Sequence, residues 1–77
     1  MIPMLLSEVR PGQSAFVTAI TGTGLFFTRL RSLGVRINTK LNVVREAPLG
    51  GALHICFNER ENIAVPKQAA ACIQVLL

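Results

Sequence analysis

Turn-forming residues recur so closely along this 77-residue chain that the stretches between them have room only for short strands or a two-turn helix. Pro11-Gly12, Gly22-x-Gly24, Gly34, Asn38, Pro48-Leu49-Gly50-Gly51, Asn58 to Asn62 and Pro66 divide it. Glycine and asparagine tolerate positive φ, and proline fixes its own φ and donates no hydrogen bond. One small core is all that such pieces can build. Folding at this length hides only about 60% of the surface exposed by the unfolded chain, and the stability expected is on the order of 5–10 kcal/mol. A second domain is excluded, and a deep active-site cleft is not expected.

The pieces read mainly as strands. Val9-Arg10-Pro11-Gly12 has the order of a type II turn, and Ser14 to Thr21 follows as a first strand with Ala15 and Val17 on one side. Thr21-Gly22-Thr23-Gly24 breaks the alternation, and either threonine is suited to cap the short helix after it. In that helix Phe26, Leu30 and Leu33 recur at i, i+4 and i+7 and define the buried face, leaving Arg29 and Arg31 to solvent, and Gly34 stands where a left-handed C-cap belongs. Val35-Arg36-Ile37-Asn38 then repeats the first turn, at the same spacing to Val43 as Val9 has to Val17. Lys40 to Ala47 is a second strand, with Leu41 and Val43 on one face. Leu53, Ile55 and Phe57 alternate with His54, Cys56 and Asn58 in a third, the period-2 signature of a half-buried strand. Ile63 to Val65 is a fourth, ended or held at an edge by Pro66; Lys67 to Ala71 is one helical turn; and Cys72 to Leu77 closes the chain. About five antiparallel strands and one helix inserted after the first close most economically into a small barrel, which leaves no free edges.

The content is 51% hydrophobic, with 16% charged residues, the reverse of a disordered composition. The longest uncharged stretch, Pro11 to Thr28, is broken by Gly12, Gln13, Ser14, Gly22 and Gly24, so no spanning helix is expected. Met1 to Leu6 is too short for a signal-peptide core, which makes the cytoplasm the expected compartment, and Cys56 and Cys72 are expected as free thiols. Arg29, Arg31, Arg36, Lys40 and Arg45 fall in one stretch without an acid, which points to a basic face able to meet phosphates or an acidic protein surface. Alternatively, these side chains form a solvated surface that keeps the domain soluble.

Three chemistries turn on particular residues. His54 and Cys56 share one face of a strand, and with Cys72 they are the candidate ligands for zinc or ferrous iron; the spacing lacks any Cys-x-x-Cys or His-x-x-His pair, and the other reading is an outward histidine beside small thiols. Catalysis has no support: there is no nucleophile-base order, no carboxylate pair and no phosphate loop, so an enzyme is not expected. A pI near 10.1 suits a nucleic-acid-binding barrel. Base stacking needs exposed rings, however, and with Phe26 and Phe57 assigned to the core only Phe16 and Phe27 are to spare.

Arg29-Leu30-x-x-Leu33-Gly34, Val43-Val44, Ala47-Pro48-Leu49-Gly50-Gly51 and the Ala64-Val65 to Ile73-x-Val75 tail together resemble the FeoA family over nearly the whole chain. That resemblance implies an SH3-like barrel in the cytoplasm, an accessory of ferrous iron uptake whose partner is the FeoB-type GTPase permease. The same fold occurs as the C-terminal domain of DtxR-type metal-dependent repressors, so a metal-sensing role is a further reading. Two positions depart from the family pattern: Ile37-Asn38 replaces the usual Pro-Gly, and Pro66 stands where a basic residue is common. For a domain acting by docking, the expected contacts are Arg29 and Arg31 on the helix and the Pro48-Leu49-Gly50 turn, where Leu49 either anchors a partner or caps the barrel mouth. A second copy of the chain, met through the strand edge at Pro66 or the apolar tail, is a further candidate partner.

Overall fold

In the computed structural model, which describes residues 1–77, six strands form one antiparallel sheet. In chain order they are β1 (Pro3–Leu5), β2 (Ser14–Ile20), β3 (Lys40–Glu46), β4 (Leu53–Phe57), β5 (Glu61–Val65) and β6 (Ile73–Leu76), with helices α1 (Leu25–Ser32) and α2 (Lys67–Ala70). Across the sheet the order is β1-β6-β2-β3-β4-β5, so the hydrogen-bonded ladder does not close and β1 and β5 are its edges. The mainly β fold with a helix after Ile20 is as expected, but there is one strand more, and the edges that a closed barrel would remove are present. The added strand, β1, pairs with β6 from Pro3 opposite Leu76 to Leu5 opposite Gln74. α2 is the short turn expected from Lys67 to Ala71, held by its fully buried Ala70.

The sheet curls round a single core. Leu6, Leu30, Leu41, Ile55, Phe57 and Ile73, from five different parts of the chain, line one residual interior void of about 10 Å³. That is at the lower limit of what a single water needs, and the lining is wholly apolar, so the interior is dry and filled. Strand alternation decides who enters it. Leu53, Ile55 and Phe57 are buried while His54 and Cys56 between them are not, and Leu41 and Val43 are buried on β3.

The helix departs from its expected face. Phe27 and Leu30 are its buried residues, Phe26 is only partly covered, and Leu33 is 39% exposed. The cause lies before the helix. A Cβ on Gly22 would sit 2.2 Å from Phe27 Cε2, so the bare glycine makes the space that the Phe27 ring fills. The two rings then meet edge to face at 5.3 Å. Neither threonine caps the helix: the N-cap is Gly24, which has no side chain to bond the free N–H groups, while Thr21 Oγ1 donates to the Cys72 carbonyl. The C-terminus is as expected. Gly34 at φ +107° donates to Arg31 O, and Val35 donates to Leu30 O, the paired bonds of a Schellman ending with Val35 and Leu30 both buried.

The two matching turns clasp each other's strands. Gly12 (φ 90°) and Asn38 (φ 75°) hold equivalent positions, and Arg10 N–H and Arg36 N–H donate to the Gln13 and Thr39 side chains. Gly12 donates to Val43 O and Val43 to Gln13 O; Asn38 donates to Val17 O and Val17 to Thr39 O. Register shifts follow each valine, between Val17 and Ala19 and between Val43 and Arg45. The repeat seen in sequence is therefore a local two-fold arrangement about the point where Ala15 pairs with Leu41.

Candidate docking surface

The second of those bulges matters for the surface. It places Val44 and Arg45 consecutively in solvent, and Arg45 arrives opposite His54. His54 in turn contacts Asn62 on β5, Nε2 to Oδ1 at 3.1 Å. From here a shallow groove of about 490 Å³ runs past Ala47 and Pro48 and along Ile63 and Ala64. On the other side of the same β5 residues a second groove of about 320 Å³ separates Asn62, Ile63 and Ala64 from Phe26 and Arg29 of α1 and from Leu33, its C-cap. β5 is thus a ridge between two depressions, joining the helix to the Pro48 turn.

Charge and shape differ along this surface. Arg29 and Arg45 are exposed, one in each groove, and neither forms an ion pair. The lone carboxylate among the lining residues, Glu46, is held by Lys67 Nζ at 2.7 Å. At the far end Leu49 is 105% exposed and covers nothing, which excludes the barrel-mouth cap. Its backbone is in the left-handed region at φ 63°, ψ 34°.

Of the residues singled out in the sequence, Arg29 and Pro48 thus belong to one surface, with Leu49 and Gly50 beside Pro48. Arg31 does not line it. Arg31 flanks a separate depression with Ile20, Val35, Arg36 and Ile37, so the basic stretch is distributed over more than one place. The sequence placed Arg45 in the expected basic face but did not mark Asn62, Ile63 and Ala64 as forming a surface with it. Pro66 was the available signal, since a strand running into proline is an edge strand.

The candidate metal ligands do not converge. Cys56 and Cys72 are both free, Cys72 Sγ faces Gln68 O at 3.7 Å, and no three His, Cys, Asp and Glu side chains come together to hold an ion. Two strands of the sheet, β2 and β3, separate β6 from the His54 strand. The donor set does not fit zinc or ferrous iron. For nucleic acid, Phe27 is buried, which leaves Phe16 as the one strongly exposed ring. No helix is long and apolar enough to cross a membrane.

Residues 4–77 match the family model for the FeoA domain. No curated protein matches the chain in sequence. Among solved structures, the FeoA protein of Chlorobium tepidum is 32% identical, with a TM-score of 0.88 over 96% of this chain and 70% of that one. The zinc-complexed FeoA of Stenotrophomonas maltophilia, a prokaryotic SH3 domain protein and candidate ferrous iron transport activating factor, is 26% identical at TM-score 0.78, over 94% of this chain and 88% of that one. A manganese-dependent transcriptional repressor shares the fold at 20% identity and TM-score 0.80, over 96% of this chain and 41% of that one.

Proposed function

Because the chain belongs to the FeoA family, accessory proteins of ferrous iron transport, we propose that it works in the cytoplasm by docking on the soluble GTPase region of a FeoB-type permease. The observation that carries this reading is the continuous surface from Arg29 across Ile63 and Ala64 to Pro48. It combines apolar side chains, two unpaired guanidinium groups and a protruding leucine, the composition of a small transient interface with an arginine-rich rim. Nothing on it resembles the machinery of a reaction. Its role toward the permease is that of a partner that binds and orients.

The test is binding of the whole chain to the purified soluble region of the permease, followed by calorimetry. Arg29→Glu is expected to weaken binding by about tenfold or more, because a reversed charge at the interface repels what the native one attracts. Arg31→Glu, on the separate depression, is expected to change affinity by less than about threefold. Equal effects of the two reversals, or none from either, reject this surface. Absence of any binding rejects the partner.

A further inference from the structure

We propose that the free edge of β5 receives an acidic, extended peptide segment as an added strand, laid in the groove against α1. This rests on the docking reading above and names what the surface holds.

Edge position comes first. β5 is hydrogen-bonded to β4 alone, from Leu53 opposite Val65 to Phe57 opposite Glu61, and no further backbone bond of Glu61–Val65 is made elsewhere. The outward row of N–H and C=O groups is therefore open to another chain. Nothing covers it: α1 stands off by a groove of about 320 Å³, walled by Phe26, Arg29 and Leu33. Most exposed edges carry a device against pairing, such as a proline, a bulge or charged side chains within the strand. Here Pro66 comes only after the strand ends, the register with β4 is unbroken through Glu61–Val65, and the one charge in the strand, Glu61, stands at its hairpin end.

Charge then selects the occupant. Arg29 and Arg45 flank the ridge without counter-ions, and Glu46 is neutralised by Lys67. Glu59 and Glu61 lie at the hairpin end with Arg60 between them, outside the residues lining either groove. A second copy of this chain is the wrong occupant, because each copy brings net charge +4 and its own Arg29 to the same edge. A polyproline segment is also disfavoured. Such ligands dock on aromatic-lined grooves, and this chain has neither tyrosine nor tryptophan, with Phe26 the single ring in the groove. An added strand matching β5 needs about five residues, or about 17 Å of extended chain.

The experiment titrates the isotope-labelled whole chain with three capped peptides, followed by amide chemical shifts and hydrogen exchange. The first is Asp-Val-Glu-Val-Asp-Val-Glu, the second has lysine at each acidic position, and the third has proline at the central valine. The acidic peptide is expected to shift and protect amides of Glu61–Val65 and to perturb Phe26, Arg29 and Leu33. It should bind about tenfold or more tighter than the lysine and proline peptides, and lose about tenfold with Arg29→Glu. Failure of the acidic peptide to saturate, equal binding by the lysine peptide, equal binding by the proline peptide, shifts centred on Arg31 and Arg36, or self-association on titration would each overturn it. If the acidic peptide fails while the permease region still binds in an Arg29-dependent way, strand addition falls and docking stands. If the peptide binds as described and the permease region does not, the partner falls and the edge site stands.

Discussion

Leu49 combines a backbone in the left-handed region with a side chain wholly in solvent. A left-handed leucine costs roughly 1–2 kcal/mol, and here burial returns none of it. Leu49→Gly is therefore expected to raise stability by about 0.5–1 kcal/mol in urea titration, glycine's greater freedom when unfolded offsetting part of the gain. The same change should weaken binding to the permease region, so the two effects have opposite signs; a variant that is both less stable and equally tight would show Leu49 to be a structural residue. Gly22 is the converse case, a residue whose value is empty space. Gly22→Ala places a methyl group into the Phe27 ring and should cost about 1–3 kcal/mol, with part recovered on adding Phe27→Leu. This also explains what the sequence concealed. Phe26 and Phe27 are neighbours of equal hydrophobicity, and periodicity with Leu33 favoured the wrong one; only the hollow above Gly22, a tertiary feature, decides between them.

Among the elements, the paired turns were legible because each carries its own chemistry, a positive-φ residue at the same place in two copies. Their strength should differ. Gly12 at φ 90° has open space around a built Cβ, so Gly12→Ala should cost about 1 kcal/mol through backbone strain alone, whereas Asn38→Gly should be neutral or slightly stabilising. Urea midpoints of the two variants check this, and equal losses would contradict the equivalence of the turns. β2 to β6 were readable from alternation and punctuation. β1 was not: three residues give too short a pattern, and the partner that makes Pro3–Leu5 a strand lies at the other end of the chain. The bulges were equally hidden, since a register shift exists only relative to a neighbouring strand, and with them the place of Arg45, read only as part of a basic stretch, which one of them sets opposite His54.

At the scale of the whole molecule, the surface could be read only in fragments. The expectation of an SH3-like docking groove grouped Arg29, Arg31 and Pro48; folding kept Arg29 with Pro48, sent Arg31 to another depression, and joined the first two through Asn62, Ile63 and Ala64. The three prospective metal ligands scattered for the same reason, because residues distant in sequence meet only where the strand order brings them. One more consequence follows from β1. Ile2 and Leu77 exchange backbone hydrogen bonds of 3.4 and 3.0 Å, so the polypeptide enters and leaves at a single point. A unit with adjacent ends can be spliced into a longer polypeptide with little distortion of either. A circular permutant joining Leu77 to Met1 by a short glycine linker and reopened between Leu49 and Gly50 should fold with its melting temperature lowered by no more than about 10 °C. Portability of this kind suits a fold that also stands within longer chains: in the manganese-dependent repressor the matching part is 41% of the chain.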